Sequence, residues 1–454
     1  MVSKNRRREN IMAWLKVWEP ENGQFWRETG RKIAWRALVV TTASLVLSFA
    51  SWFVMSAVAV RLPGIGFKFS TMELFWLAAM PGLAGGSLRI VNMFLVPILG
   101  SRAVITAANF LKLIPCIGLG LAVMNPETPF WVFMLLAFTA GLGGGDFSSF
   151  MPSTSLFFPK RLQGAALGIQ AGVGNFGVSL VQFVAPWIIG FTALGSLAGG
   201  PQTFRKGEVV KDIWLQNAAF VWVPFLLLFG VLSFFLINSL PVKASFREQL
   251  DIFTNKHTWF CTATYIMTFG SFSGFSAAFP LMITEIYGRF PDAPDPLRFA
   301  FYGPLIGSLV RVIFGFVADK TGGAILTQVA GIGLIVCCAV MTLGGLLTPA
   351  SLGRFPLFVA LMLAMFFFAG MGNASTFRQY PIIFSQSPRQ GAGVLGWTGA
   401  VAAYGPFIFA TLIGAAITRT GSATPFFTGA TVFYAAATSI NWWYYTRKGC
   451  EKPC

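Results

Sequence analysis

The sequence is poor in the residues from which most soluble proteins and most enzyme sites are built. Charged residues make up 11% of the 454 positions, and there is a single histidine. The six cysteines form no cluster with it, and no phosphate-binding loop ending in Gly-Lys-Ser or Gly-Lys-Thr is present. These absences argue against a soluble domain, a metal site and an ATP-driven motor. No nucleophile–base set is visible either, so we expect neither enzymatic activity nor a cofactor.

Long apolar runs occupy most of the chain instead. Hydrophobic residues account for 55% of the sequence, and the mean hydropathy is +0.68. A spanning helix needs roughly 20 apolar residues, and runs of this length recur along the chain. We therefore predict an all-α membrane protein with twelve transmembrane helices, at 37–60, 72–98, 103–124, 129–156, 163–191, 216–238, 257–283, 298–318, 323–347, 355–384, 391–418 and 424–446.

Basic residues are distributed unevenly between the two sides of the predicted bundle. Of the 33 Lys and Arg residues, 20 fall on the side that holds both chain ends, nine on the other side and four inside the runs. The positive-inside rule then places both ends in the cytoplasm, with tails at 1–36 and 447–454. The first apolar run is too long for a signal peptide and lacks a small-residue cleavage site. The basic residues of the first tail are expected to face anionic membrane lipid and not nucleic acid. They include Lys4, Arg6, Arg7 and Arg8.

The chain repeats itself across a charged segment at 241–256, which we interpret as a cytoplasmic linker. Ala-Gly-Leu-Gly-Gly at 140–144 matches Ala-Gly-Met-Gly-Asn at 369–373, and Gln-Gly-Ala-Ala-Leu-Gly at 163–168 matches a similar stretch at 390–396. The halves are 37–240 and 257–446, with six runs each. Two such pseudo-symmetric halves in one orientation, with a site at their interface, are typical of the major facilitator fold.

Two arginines lie deep in apolar runs at corresponding positions of this repeat. Arg89 is in the second run and Arg311 in the eighth. A charge at bilayer depth costs at least about 3 kcal/mol by insertion scales and is usually retained for function. Two cations contributed by two halves to one cavity indicate an anion carrier.

Three further ionisable residues lie at membrane depth. Lys112 and Asp146 are each about ten residues from the cytoplasmic end of their helix. At about 1.5 Å per residue, both lie ~15 Å from that end. A neutralised structural ion pair is the interpretation that we favour, and proton uptake by Asp146 is the alternative. Arg378 is a third cation in the second half, and the sequence does not decide whether it faces the cavity.

Glycines recur in the fifth and eleventh runs. Small residues four apart form a helix face that lets another backbone approach closely. Most of these glycines are therefore interpreted as packing or gating positions: Gly164, Gly168, Gly172, Gly174 and Gly177 in the fifth run, and Gly391, Gly393, Gly396, Gly399 and Gly405 in the eleventh. Packing does not explain Asn175, a polar side chain among them.

These features together resemble the nitrate/nitrite porter family of the major facilitator superfamily, and in particular its NarK-type exchangers. The similarity includes Gly-Val-Gly-Asn-Phe-Gly at 172–177, the glycine-rich eleventh run and the Trp-Glu-Pro-Glu start at 18–21. Gly-Phe-Val-Ala-Asp-Lys-Thr-Gly-Gly at 315–323 resembles a loop of the superfamily. The matching loop at 100–102 lacks the acid, which departs from that pattern.

The resemblance implies a set of substrate-binding residues. In this family two arginines clamp the anion, and the matching positions are Arg89 and Arg311. Asn175 corresponds to the family's asparagine in helix 5. The aromatic walls correspond to Phe49, Phe147, Tyr265, Phe269 and Phe377.

The resemblance also implies a function. We expect a multi-pass carrier of the bacterial cytoplasmic membrane that exchanges nitrate and nitrite by alternating access and acts as a monomer. A proton-coupled nitrate symporter that uses Asp146 is the alternative within this class. A nitrate receptor without transport is the alternative from another class, although no signalling domain is recognisable.

Overall fold

The computed structural model describes residues 14–192, 195, 199–240 and 247–454. The predicted lipid-facing bases Lys4, Arg6, Arg7 and Arg8 therefore lie outside the described residues, as does the first part of the linker, 241–246.

The described chain is a bundle of long helices. Eleven of them are long and apolar enough to cross a membrane. The predicted all-α membrane fold is confirmed, and the bounds of the first ten helices are α1 Gly23–Arg61, α2 Thr71–Asn92, α3 Ser101–Met124, α4 Phe130–Phe157, α5 Lys160–Ile188, α6 Asn217–Leu236, α7 Lys256–Tyr287, α8 Leu297–Thr321, α9 Gly323–Leu343 and α10 Leu352–Ile383.

The last two helices each consist of two segments. Helix α11 consists of Pro388–Ala402 and Gly405–Thr420, with a break between them. Helix α12, Thr424–Asn441, is followed by a π-helical turn at Trp442–Thr446. With its many Thr, Ser and Asn residues, α12 is not among the eleven helices that meet the length and hydropathy of a membrane span.

A small hairpin between α5 and α6 is the one element that the hydropathy pattern did not predict. Strands β1, Gln202–Lys206, and β2, Val209–Ile213, pair antiparallel. The Phe204 ring of β1 lies 5.3 Å from the Arg61 guanidinium carbon at the end of α1. The hairpin therefore covers the end of the bundle opposite the chain ends, which we call the outer side.

Contacts between the two halves concentrate on the outer side. Arg61 forms an ion pair with Asp295 just before α8, at 2.5 Å. The Thr71 hydroxyl donates to Glu285 at 2.9 Å, and the Gln182 amide donates to the Ser276 carbonyl at 2.8 Å. All three contacts join the first half to the second, so the outer side of the bundle is closed.

Three helices are interrupted at the depth of the predicted site. Helix α3 breaks at Lys112, and α4 breaks at Asp146. Helix α7 contains a π-helical turn at Ile266–Gly270, directly after Tyr265. Such interruptions often mark functional sites because they redirect side chains and release backbone carbonyls.

Candidate anion-binding site

Arg89 is held between the two halves by backbone carbonyls. It is fully buried. Its Nε donates to the Gly144 carbonyl of α4 at 2.8 Å, and its Nη1 donates to the Gly399 carbonyl of α11 at 2.5 Å. Its Nη2 has no hydrogen-bond partner among the described residues. The guanidinium is therefore fixed in place with donor capacity left for a ligand.

Three aromatic rings surround the Arg89 guanidinium. Its central carbon lies 4.7 Å from the ring centroid of Phe147, 5.2 Å from that of Phe269 and 5.4 Å from that of Trp52. These distances are within the range of cation–π attraction, which is strongest where water is excluded. The rings compensate in part for burying the charge, which has no acidic partner among the described residues.

Arg311 also lies near the Phe269 ring. Its guanidinium carbon is 5.1 Å from the Phe377 centroid and 6.0 Å from the Phe269 centroid. The side chain is only 5% exposed, and neither Nη1 nor Nη2 has a hydrogen-bond partner among the described residues. The two guanidinium groups are close enough to repel each other. A small anion between them would relieve both the repulsion and the missing hydrogen bonds.

The second half supplies a flat aromatic wall to this space. Tyr265 stacks on Phe269 with centroids 5.5 Å apart and an interplanar angle of 7°. Tyr265 also stacks on Phe377, at 4.9 Å and 22°. Tyr265 and Phe269 are four residues apart, so both rings lie on the same face of α7. Phe49 stands behind this shell, because it contacts Phe147 edge-on at 6.4 Å and has no described contact with either arginine.

Asn175 is a buried amide without a described partner. The side chain has no exposed surface, and neither its nitrogen nor its oxygen is hydrogen-bonded in the described structure. It lies almost one turn after Gly172, where α5 packs against Val312 of α8. Val312 directly follows Arg311, so Asn175 is near the level of the two arginines.

The predicted packing glycines fall into two groups. A Cβ atom at Gly172 would lie 2.6 Å from Val312, and one at Gly174 would lie 2.6 Å from Leu45. A Cβ atom would also be too close at Gly177, against the Val46 carbonyl, and at Gly405, against the Gly270 carbonyl. At Gly396 and Gly399 it would make only ordinary contacts, beyond 3.5 Å. Gly164 and Gly168 face open space. Their packing role is not met in this conformation and stays a prediction for a conformation in which α5 and α8 approach further.

Lys112 and Asp146 form a buried ion pair. The Lys112 ammonium is 2.5 Å from Asp146 Oδ2, and the Ser48 hydroxyl donates to the same oxygen at 2.6 Å. The pair carries no net charge and connects the breaks of α3 and α4. It lies two residues from Gly144, whose carbonyl holds Arg89.

Arg378 is also paired. Its Nε lies 2.8 Å from Asp319 Oδ1, in the last turn of α8. Both side chains are substantially exposed. The charge of Arg378 is therefore balanced within the second half, and the residue does not contribute an unpaired cation to the space between Arg89 and Arg311.

Sequence reasoning missed two features that hold Arg89. The first is Trp52, which lies three residues after Phe49 on α1. This spacing places both rings on one helix face, and it was the signal from which Trp52 could have been predicted. The Gly144 and Gly399 carbonyls carried no signal of this kind, because backbone acceptors become visible only when the helices are assembled.

Comparison with known proteins agrees with this architecture. The model of the Major Facilitator Superfamily matches residues 40–388, so the chain belongs to that superfamily of transporters. The fold is also that of a solved bacterial homolog of the human lysosomal transporter Spinster, in an inward-facing and occupied conformation. That structure aligns with a TM-score of 0.63 and 14% identity over 89% of this chain and 95% of the other.

Within the superfamily the chain belongs to the NarK-type nitrate/nitrite porters. It is 60% identical to a probable nitrate/nitrite antiporter, NarK2, of Thermus thermophilus over 97% of this chain and 98% of the relative. It is 38% identical to the nitrate/nitrite transporter NarU of Salmonella typhimurium over 98% of both chains. The identity to the Escherichia coli NarU is 36%, over 97% of this chain and 98% of the relative.

Proposed function

We propose that this protein exchanges nitrate and nitrite across the bacterial cytoplasmic membrane by alternating access, with the anion clamped between Arg89 and Arg311. The observation that carries the proposal is the pair of buried guanidinium groups, which have unused donors and no acidic partner among the described residues. Full-length relatives named as nitrate/nitrite transporters or antiporters support the choice of anions.

The residue types suit small planar oxyanions. A guanidinium presents coplanar N–H donors that bind two oxygens at once, which an ammonium cannot do. The stacked rings of Tyr265, Phe269 and Phe377 form a flat aromatic wall beside Arg311. A flat ion such as nitrate or nitrite fits between aromatic faces, whereas tetrahedral phosphate or sulfate is too thick.

The charges of the site favour exchange over uptake. Closing an empty site brings two like charges together as water leaves, which is electrostatically unfavourable. A bound monovalent anion offsets this cost. Only the loaded carrier should therefore cross the closed state, and each inward passage is then matched by an outward one.

Proton-coupled nitrate uptake is the second candidate, with Asp146 as the proton site. The pairing of Asp146 argues against proton-coupled uptake, since the carboxylate already binds Lys112 and Ser48. The orientation with both chain ends in the cytoplasm and the monomeric state are parts of the proposal that rest on charge distribution and on family resemblance.

The test is counterflow in proteoliposomes. Labelled nitrate uptake is measured into vesicles loaded with nitrite, with nitrate or with neither anion, each with and without an inward proton gradient. We expect uptake into either loaded set and little uptake into empty vesicles at any pH gradient. Rapid gradient-driven uptake into empty vesicles would replace exchange by proton symport, and no nitrate transport in any arm would refute the proposed function.

A further inference from the structure

The two halves share a helix crossing next to each buried arginine. In the first half, α2 and α4 touch at two glycines, and a Cβ atom at Gly141 would lie 2.8 Å from the Gly85 nitrogen. In the second half, α8 and α10 touch in the same way, and a Cβ atom at Gly370 would lie 2.8 Å from the Gly307 Cα. Gly307 corresponds to Gly85 in the repeat, as Gly370 does to Gly141.

These crossings determine which residue stands beside each arginine. Arg89 is four residues after Gly85, and Gly144 is three residues after Gly141. The contact between them is direct, because Arg89 Nε donates to the Gly144 carbonyl. The helices of each pair run in the same direction. In the second half, Arg311 is four residues after Gly307 and Asn373 is three residues after Gly370. Arg311 and Asn373 therefore lie at nearly equal depth.

A difference in aromatic size makes room for the Asn373 side chain. At the first crossing the Trp52 indole covers Gly144, where a Cβ atom would lie 2.6 Å from the ring. Trp52 also lies against Gly85, with its Nε1 2.9 Å from where a Cβ atom would be. At the second crossing Phe272 takes the place of Trp52, 2.7 Å from such an atom at Gly307. At the second crossing the smaller phenyl ring thus occurs together with the larger residue, Asn373, at the position that corresponds to Gly144.

Asn373 is buried without any partner for its polar atoms. The side chain has no exposed surface, and neither Nδ2 nor Oδ1 is hydrogen-bonded in the described structure. It is four residues before Phe377 and so on the helix face that contacts the Arg311 guanidinium. The Ser308 hydroxyl, one turn before Arg311, is likewise buried and unpartnered. Unpaired buried amides are costly, which points to a ligand that pairs them.

We propose that Asn373 is a further anion-orienting residue of the clamp, contributed by the second half. Its Nδ2 donates to an oxygen of the bound oxyanion, while its Oδ1 accepts from Arg311 and directs that guanidinium towards the same ion. Asn175 provides an amide from the first half. The site is then asymmetric, because Gly144 at the corresponding position offers only its carbonyl. This inference rests on the proposed function, since it requires a nitrate or nitrite ion at the site.

The experiment compares three purified variants with the wild-type protein by isothermal titration with nitrate and by thermal unfolding without anion. Asn373→Leu keeps the size and removes the amide. Asn373→Asp keeps the shape and places a carboxylate beside Arg311. Asn441→Leu removes a different buried amide, which donates to the Ala324 carbonyl at 3.0 Å and to Gln328 at 2.9 Å, and it is the matched control.

Asn373→Leu should bind nitrate roughly 10- to 100-fold more weakly, because a hydrogen bond to a charged group is lost. It should unfold at or above the wild-type temperature, since an unpaired amide is removed. Asn373→Asp should also lose nitrate binding and should be the more heat-stable of the two. Asn441→Leu should show the opposite pattern, with lower stability and unchanged affinity.

The two failures are distinguishable. If the wild type and Asn441→Leu bind nitrate and Asn373→Leu binds it equally well, Asn373 is not a ligand while the proposed function stands. If Asn373→Leu or Asn373→Asp loses affinity only together with stability, the residue has a structural role and the inference is overturned. If the wild-type protein binds neither nitrate nor nitrite, the proposed function itself is wrong.

Discussion

Arg89 and Arg311 differ in how firmly the protein holds them. Arg89 donates to carbonyls from both halves, so its plane is set before any ligand arrives. Arg311 has two unpartnered terminal nitrogens in the described structure and lies beside Phe377 and Phe269. At the scale of single residues, the first half thus offers a fixed donor and the second half an adjustable one.

Replacing either arginine by lysine should nearly abolish nitrate binding. Arg89→Lys and Arg311→Lys retain the charge but lose the planar pair of donors, and the first also loses a bond to Gly144 or Gly399. We expect affinity to fall at least about tenfold in each, measured by isothermal titration. The control is Arg419→Lys, at an exposed arginine near the end of α11. Wild-type affinity in either site variant would mean that the clamp is assigned wrongly.

The Lys112–Asp146 pair leads to a prediction about stability. Lys112→Met should lower the unfolding free energy by about 3–5 kcal/mol, because it leaves a buried carboxylate without its cation. The double variant Lys112→Met/Asp146→Asn carries neither charge and keeps an acceptor for Ser48, so it should recover much of the loss. Thermal unfolding of the two variants measures the difference. Equal stability of the single and double variants would show that the pair contributes little.

The same double variant separates the two coupling models. It should still exchange nitrite for nitrate in loaded vesicles, since the pair is neutral in the native protein and faces neither arginine in a described contact. Loss of transport in a folded double variant would support Asp146 as a proton site.

At the scale of helices, α5 and α8 touch at the site and separate on the side of the chain ends. Gly172 meets Val312, whereas Gly164 and Gly168 on α5 and Gly315 on α8 have open space beside them. Helices related in this way can close by tilting about the point of contact. The glycine face of α5 then lets α8 pack closely against it on the side of the chain ends.

Leucine substitutions along α5 should separate binding from movement. Gly172→Leu places a side chain where Val312 already lies, and we expect slow exchange and weakened binding. Gly168→Leu has room in this conformation, so nitrate affinity should be near wild type while exchange slows, because the added side chain obstructs closure. Titration and counterflow provide the two measurements. Gly429→Leu, at an exposed glycine of α12 with open space, is the control. Normal exchange in Gly168→Leu would mean that α5 and α8 do not close at this level.

At the scale of the whole molecule, the two halves are held together on the outer side by the pair Arg61–Asp295. Burial acts to raise the pKa of Asp295, but the charge and hydrogen bond of Arg61, the Leu297 N–H and the charge of Lys211 together outweigh it, so the pKa lies below the ordinary value of 3.8. Because the pKa of Asp295 is depressed in the closed state, its ion pair stabilises closure at every pH above 3.8. This contribution is lost as the pH falls through the depressed pKa.

The contribution of the Arg61–Asp295 pair to closure should therefore be constant between pH 8 and 5 and should weaken only below about pH 4. Asp295→Ala should shift the molecule towards an open outer side at neutral pH. Spin labels at Arg205 in the hairpin and at Asp292 before α8, in a cysteine-free background, report the distance between the halves. Glu127→Ala, at an exposed loop acid between α3 and α4, is the control. Opening at pH 6 in the otherwise unchanged protein would show that another titrating group governs closure.

Most of the helices could be predicted because their signal is local. A run of about 20 apolar residues forms a helix whatever its neighbours are, since lipid leaves no other partner for the backbone. The interruptions at Lys112, Asp146 and Ile266–Gly270 carried no such signal. They lie at the Lys112–Asp146 ion pair and beside the stacking of Tyr265 on Phe377, which are contacts between helices that exist only after assembly.

The sequence by itself determined that two cations lie at membrane depth in a duplicated chain, because charge, apolar surroundings and repeat position are all readable in one dimension. Only the tertiary structure decided that Arg89 is held by Gly144 and Gly399, that Arg378 is balanced by Asp319, and that Trp52 lies beside Arg89. The physical reason is the range of the interactions. Burial depth follows from neighbours along the chain, whereas these hydrogen bonds and ring contacts join residues far apart in the sequence and depend on how the helices cross.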